Sequence, residues 1–238
     1  MTVLVVTSTH GVSAARRRTR TVPIVAIDLE TDPVASGLVA SLARPGGNVT
    51  GFFLDVPEMS GKLVQLLKEA VPRATRVVAV LWDAAIARPQ FEATGQAARA
   101  AGITVHSAPV RQADDLGGAV ERAVRDLARA LIALSAPLMR LYQPRIDELA
   151  LRHRLPSVTL FPLLADGHGL MSYGPDLDDM FRRSAAYVDQ ILKGVPAGDL
   201  PVQRPARFHL AINLRTARTL GLTVPQVLLL RADRVIDP

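Results

Sequence analysis

The carboxylates most able to take part in chemistry lie together in one predicted loop. Asp28, Glu30 and Asp32 follow a strand predicted at residues 23–27, at the sheet edge where open α/β folds place ligand groups. Paired carboxylates could act there as acid and base, or they could accept hydrogen bonds, with Asp32 capping a helix before Pro33. Because no nucleophile or metal ligand is near in sequence, hydrogen bonding or capping is the favoured interpretation.

The sequence lacks the common signatures of an α/β enzyme. It contains no G-x-S-x-G nucleophile elbow, no G-x-x-x-x-G-K-[ST] phosphate loop and no G-x-G-x-x-G after a predicted strand. Its five histidines are scattered without the H-E-x-x-H spacing of a helical metal site, and the absence of cysteine excludes disulfides and thiolate ligands. We therefore expect no catalytic residues, no metal and no cofactor.

Short polar or aromatic side chains follow several other predicted strands. They are Ser8, Thr9, Asp83, Ser135 and Phe161. Since the carboxyl ends of parallel strands share one edge of a sheet, such groups can hold a carboxylate or an amine without doing chemistry, as a binding cleft requires. The alternative is that the hydroxyls only cap helices, which is their commonest role.

Short β-branched runs alternate along the chain with longer amphipathic segments. Strands are predicted at residues 3–6, 23–27, 49–54, 76–81, 103–108, 130–134, 156–160, 170–173 and 207–213. Helices are predicted at residues 58–71, 88–101, 113–128, 144–153, 177–193 and 214–220. This rhythm predicts a doubly wound α/β fold with mostly parallel strands.

The charge balance is basic but carries no recognition motif. Lys and Arg exceed Asp and Glu by 28 to 22, which could indicate an anionic partner. The basic residues are nevertheless spread along the chain, clustering only at residues 16–20, and aromatic residues make up 4% of it, too few for a stacking platform. We expect no nucleic-acid partner, and no apolar run approaches the ~20 residues that cross a bilayer.

Three runs near the front carry a resemblance to a known family. They read T-V-P-I-V at 21–25, T-D-P-V at 31–34 and G-L-V-A-S-L-A-R-P-G-G-N-V-T-G at 37–51. Further runs follow in the expected order at 62–72, 78–83, 149–156, 169–174, 187–194 and 212–237. Over essentially its whole length, the chain resembles bacterial ABC-transporter substrate-binding proteins of the tryptophan/tyrosine-uptake type.

This resemblance implies a periplasmic, non-enzymatic protein with two Rossmann-like lobes of a type 1-like periplasmic-binding-protein fold. Such a protein closes on a small solute in an interlobe cleft and delivers it to the membrane subunits of an ABC permease. An amino acid or an aromatic carboxylate is the solute class implied. The ligand-binding residues implied are Ser8, Thr9, Asp32, Pro33, Asp83, Ser135, Phe161 and Tyr173.

The resemblance also implies a domain division. The first lobe would comprise residues 1–55 with 176–238, and residues 56–175 would form a complete second lobe. Because relatives begin with a signal peptide and a further βαβα unit, we expect the first lobe to be incomplete, through a misplaced start codon or a gene fragment. The alternatives are a cytosolic ligand-sensing or regulatory domain of the same fold, a non-functional fragment or a small α/β enzyme.

Overall fold

The computed structural model describes residues 2–72, 76–162 and 167–237. The chain forms two compact units, of which the first comprises Met1–Val56 and Pro175–Phe208 and the second Pro57–Gly174 and His209–Pro238. The polypeptide therefore passes from one unit to the other three times. Among the described residues, no helix combines the length and the apolar character needed to cross a membrane.

The first unit contains a parallel three-stranded sheet with helices packed on it. Its strands are β1 (Leu4–Thr7), β2 (Ile24–Asp28) and β3 (Val49–Phe53), and its helices are α1 (Thr9–Arg18), α7 (Leu177–Leu192) and a 3₁₀ turn at Ala197–Asp199. The sheet order is β1-β2-β3. Helix α1 packs against β1 and β2, whereas α7 packs against β2 and β3. Every residue of β2 and β3 is buried, as expected for the covered strands of a parallel sheet.

A glycine sets how closely β2 and β3 approach. Gly51 has a φ of 125°, and a Cβ atom built on it would lie 2.1 Å from the carbonyl oxygen of Ala26. Only glycine adopts this backbone conformation readily and leaves that space empty. Glycine at position 51 is therefore required by the pairing of these two strands.

The second unit contains a seven-stranded sheet. Its strands are β4 (Val77–Asp83), β5 (Thr104–Val110), β6 (Ala130–Ala133), β7 (Ser157–Thr159), β8 (Met171–Pro175), β9 (Phe208–Asn213) and β10 (Arg234–Ile236). The order across the sheet is β10-β9-β8-β7-β6-β4-β5. The pairings of β4 with β5 and β6, of β6 with β7 and of β7 with β8 are all parallel, which confirms the predicted α/β class.

Amphipathic helices connect these strands. They are α2 (Val56–Ala70), α3 (Arg88–Ala100), α4 (Asp115–Arg125), α5 (Pro137–Leu141), α6 (Gln143–Arg152), α8 (Leu214–Thr219) and α9 (Gln226–Arg231). In α4 the buried side chains are Leu116, Ala119, Val120 and Ala123, at the spacing of three and four that forms one helical face. In α2 the apolar residues Leu63, Leu66 and Leu67, which share this spacing, are likewise buried.

The prediction for the C-terminal segment was wrong. Residues 209–238 were expected to join the first lobe, but β9 and β10 extend the second unit's sheet beyond β8. The amide of Asn213 donates to the carbonyl of Leu170 at 2.8 Å, and Leu210 and Ile212 are buried. The five strands predicted as a complete lobe would leave β8 at an open edge, and β9 provides the missing hydrogen-bond partners.

Candidate functional site

The second unit has a topological switch point between β4 and β6. From β4 the chain moves outward to β5, and it then returns to place β6 on the other side of β4. Ligands of open α/β sheets bind outside the carboxyl ends of the strands at such a point. Asp83 ends β4 and Ser135 follows β6 by two residues, so the structure brings these two predicted residues to the same switch point.

Asp83 closes the turn that follows β4. Its side chain is buried, and its Oδ1 accepts a hydrogen bond from the amide of Ala85 at 2.8 Å. Its backbone carbonyl accepts from the amides of Ile86 and Ala87 at 3.3 and 2.9 Å. The carboxylate therefore shapes the loop between β4 and α3, a structural task that coexists with a position at the switch point.

Ser135 is held in place by a residue that sequence reasoning missed. The side-chain amide of Gln90, in α3, donates from Nε2 to the carbonyl of Ser135 at 3.0 Å. Its Oε1 accepts from the amide of Ser135 at 3.1 Å. Both residues are buried, so one glutamine satisfies both backbone groups of the residue after β6. Its only sequence signal is a polar residue on the buried face of a helix.

An aromatic pair secures the same end of β4. Trp82 stacks on Phe91 of α3 with ring centroids 4.8 Å apart and an interplanar angle of 13°. Its indole Nε1 donates to the hydroxyl of Ser107 on β5 at 3.0 Å, and the guanidinium of Arg88 lies 5.9 Å from the indole ring. Trp82 thus ties α3 and β5 to the strand that carries Asp83.

The other two predicted residues of the second unit lie near the neighbouring strands, one after β7 and one within β8. Phe161 is buried in the loop after β7, and the guanidinium of Arg140 lies 6.0 Å from its ring. Tyr173, in β8, is half-buried, with the ammonium of Lys62 5.9 Å from its ring. Burial, reinforced by the charges of Glu58 and Asp233, raises the pKa of Tyr173. Its hydroxyl is therefore a neutral donor and acceptor at physiological pH.

In the first unit, Ser8 forms the turn between β1 and α1. Its φ of +68° is in the left-handed region, which costs a non-glycine residue of the order of 1 kcal/mol or more. Its amide donates to the carbonyl of Ile27 at 3.0 Å, and its Oγ accepts from the amide of Gly11 at 3.5 Å. The capping role proposed for Ser8 from the sequence is confirmed.

Thr9 connects the end of β1 to the acidic loop after β2. Its hydroxyl donates to Oδ1 of Asp28 at 2.9 Å and also lies 3.3 Å from Oε2 of Glu30 and 3.0 Å from the hydroxyl of Thr31. The same Oδ1 of Asp28 accepts from the amides of Glu30 and Thr31 at 2.9 and 3.1 Å. We call Thr9, Asp28, Glu30 and Thr31 the Asp28 cluster.

Asp32 and Pro33 lie in the turn that follows the Asp28 cluster in the sequence. Asp32 is exposed, and its Oδ1 accepts from the amides of Val34 and Ala35 at 2.9 and 3.0 Å. Pro33 is buried. The hydrogen bonds of Thr9 therefore lead to Asp28 and Glu30, two residues that the sequence singled out but that the resemblance did not assign to the site.

The described residues contain no group of three His, Asp or Glu side chains that could hold a metal ion. Carboxylates that the sequence places close together, such as Asp28 and Glu30, instead accept hydrogen bonds from hydroxyl and amide groups.

Both the sequence and the fold of the chain are similar to those of known proteins. The sequence model of a family described as "ABC transporter substrate binding protein" matches residues 1–236. A tyrosine-binding protein of Clostridioides difficile (strain R20291) is 24% identical over 221 residues, which cover 90% of this chain and 61% of that protein. The chain thus spans about three fifths of the length of this relative.

Two solved structures share the fold over nearly the whole chain. A conserved domain protein of Vibrio cholerae O1 biovar El Tor is 28% identical with a TM-score of 0.87, covering 98% of this chain and 78% of that chain. An ABC domain from Streptococcus pneumonia in complex with L-Trp is 24% identical with a TM-score of 0.89 and the same coverages. These likenesses confirm the predicted α/β fold of the periplasmic-binding-protein type.

Proposed function

The chain belongs to the family of ABC transporter substrate binding proteins, and we propose that it captures a small solute, an amino acid or an aromatic carboxylate, for an ABC importer. The family match across residues 1–236 is the observation that carries this proposal. The named ligands of two similar proteins, tyrosine in one and L-Trp in the other, support an amino-acid solute. Delivery to a membrane permease and action outside the cytoplasm follow from the family and belong to the same proposal.

The strand ends supply the groups that such a solute needs. The first unit offers the carboxylates and hydroxyls of the Asp28 cluster. In the second unit, Asp83 and Ser135 lie at the switch point, and Tyr173 offers a neutral phenol. Hydrogen-bonding groups fixed by their own local contacts bind without a large ordering penalty, which is how a preorganised site achieves affinity.

A binding role also agrees with the rigidity of these groups. Gln90 fixes the backbone of Ser135, and Trp82 fixes the strand that ends in Asp83. Each of these two strand ends thus has a structural partner. We therefore propose a solute-binding protein without catalytic activity.

The proposal is tested by a thermal-shift screen of the twenty amino acids and of aromatic acids, followed by calorimetric titration of each hit. A genuine solute at 100 times its Kd stabilises the native state by about 2.7 kcal/mol, a rise of a few degrees in Tm for a chain of this size. A screen in which neither amino acids nor aromatic acids raise Tm would refute the proposed solute class.

A hydroxyl deletion then tests the site. Tyr173→Phe keeps the ring and removes one hydrogen-bonding group, and we expect a roughly tenfold weaker Kd for the solute. Tyr142→Phe makes the same change at the junction of α5 and α6 and should leave Kd unaltered. Equal effects of the two variants would exclude Tyr173 from the site while leaving the solute class standing.

A further inference from the structure

A hollow lies at the amino ends of strands β4, β5 and β6 in the second unit. It has a volume of about 580 Å³ and is lined by Arg76, Val77, Gly102, Thr104, Leu127 and Arg129. Each of these residues starts one of the three strands or precedes it by at most three positions. We call it the amino-edge hollow, since it lies at the opposite edge of the sheet from Asp83, which ends β4. Its volume is that of a site for a small organic molecule.

Two arginines give the amino-edge hollow a positive charge. Arg76 and Arg129 are exposed and directly precede β4 and β6, which pair in parallel. The carbonyl of Arg76 accepts from the first amide of β5 at 3.0 Å, and the amide of Arg129 donates to the first carbonyl of β4 at 2.9 Å. Among the described residues, neither guanidinium takes part in an ion pair or a hydrogen bond. The carboxylate of Asp126, close by in sequence, instead lies 3.2 Å from Nε2 of His106.

Leu127 places an exposed apolar side chain in the wall of the amino-edge hollow. Helix α4 ends with the amide of Ala128 bonded to the carbonyl of Ala123 at 2.9 Å, and Leu127 takes a left-handed φ of +66° in this turn. Glycine is the usual residue there, and α3 has Gly102 at the equivalent position, with a φ of +73°. Leu127 is also 64% exposed, so neither the turn nor the hydrophobic core accounts for a leucine at this position.

We propose that the amino-edge hollow binds a phosphate monoester that carries an apolar group, with Arg76 and Arg129 on the phosphate and Leu127 on the apolar group. A phosphate monoester carries a charge of about −1.5 to −2 at neutral pH, which two guanidinium groups neutralise. Its oxygens accept the paired N–H donors of arginine, and the hydroxyl of Thr104 is a further donor. An apolar group seated against Leu127 removes that side chain from water. This site is separate from the strand ends of the proposed function, and the two proposals are independent.

The experiment is calorimetric titration of the full chain, in buffer of low ionic strength, with three matched compounds. Phenyl phosphate carries the dianion and an apolar ring, inorganic phosphate lacks the ring, and benzoate has the ring with a single negative charge. We expect wild type to bind phenyl phosphate roughly tenfold or more tightly than either of the others. Equal binding of phenyl phosphate and benzoate would overturn recognition of the dianion, and equal binding of phenyl phosphate and inorganic phosphate would overturn the apolar contact.

Arg129→Gln then locates the charge. It removes one guanidinium, and we expect it to weaken the binding of both phenyl phosphate and inorganic phosphate by roughly tenfold. Arg145→Gln is the matched control, because Arg145 is exposed in α6 of the same unit and away from the hollow. It should leave both Kd values unaltered. Equal weakening by the two variants would show attraction by overall charge and would overturn the site.

Leu127→Gly separates binding from folding. Glycine relieves the left-handed strain, so the variant should resist urea at least as well as wild type. It also removes the apolar wall, and we expect about threefold to tenfold weaker binding of phenyl phosphate with the Kd of inorganic phosphate unchanged. A variant that loses stability and binds phenyl phosphate as wild type does would assign Leu127 to the fold and overturn its role in binding.

A phosphate monoester can also be the headgroup of a lipid. Sedimentation with vesicles of phosphatidic acid, compared with vesicles of phosphatidylcholine, separates the two sources. We expect a soluble ligand, so that phenyl phosphate binds and neither kind of vesicle sediments the protein. Sedimentation with phosphatidic acid without binding of phenyl phosphate would overturn the soluble ligand. Failure to bind both would overturn the site and leave the proposed solute-binding function intact, because that function is tested by a different set of compounds.

Discussion

A buried carboxylate in α6 predicts how the stability of the protein depends on pH. Asp147 is 2% exposed, and its Oδ2 has no hydrogen-bond partner among the described residues. Burial raises the pKa of Asp147 from 3.8 to about 7, although a hydrogen bond from the side chain of Gln143 opposes the rise. The perturbation that isolates this carboxylate is Asp147→Asn, which keeps the shape of the side chain and removes the titrating proton.

The magnitude follows from the two pKa values of Asp147. The folded state holds the proton up to about pH 7, whereas the unfolded chain releases it near pH 3.8. Folding therefore takes up a proton between these values, and the free energy of unfolding falls as pH rises through this window. Three pKa units at about 1.4 kcal/mol each correspond to a fall of about 4 kcal/mol in the free energy of unfolding. This fall is complete above about pH 8.

The assay is urea unfolding of wild type and Asp147→Asn at intervals from pH 4 to pH 8.5. We expect the free energy of unfolding of wild type to fall relative to that of the variant by about 3–4 kcal/mol over this range. The variant should therefore be the more stable protein at the alkaline end. Asp189→Asn, at an exposed position, should follow the wild-type curve. Parallel pH profiles for wild type and Asp147→Asn would refute the reasoning.

Two further predictions concern packing and site geometry. Gly174→Ala should lower the free energy of unfolding by about 3 kcal/mol or more, because its Cβ would lie 1.9 Å from the carbonyl oxygen of Leu160. Gly61→Ala, in α2 with nothing within 4 Å of the added Cβ, should instead raise the free energy of unfolding by about 0.5–1 kcal/mol. Urea titration that ranks the two variants in the opposite order would contradict the close approach of Gly174 to Leu160. Gln90→Leu should lower the free energy of unfolding by about 1–3 kcal/mol and speed hydrogen exchange at the backbone amide of Ser135. Gln65→Leu, the same change at an exposed position, should have neither effect.

Local pattern was enough to predict most helices and strands. Strands β1 to β9 lie within a few residues of the predicted ranges, because buried parallel strands are mostly short apolar runs whatever their neighbours are. The buried residues of α4 follow the spacing of three and four, which is a property of the helix alone and does not depend on distant contacts. The elements that were not predicted are α1, α5, α9 and β10, of which the last three contain too few residues for a period to show.

The sequence by itself thus determined the α/β class, the family and the strand ends at which polar groups collect. The tertiary structure decided which strands share a sheet: the residues of β9 suit either sheet, and the structure places β9 beside β8. It also decided that Thr9 meets Asp28 and Glu30, and that Gln90 meets Ser135 across 45 residues. Such contacts depend on the packing of distant segments, and local periodicity carries no information about that packing.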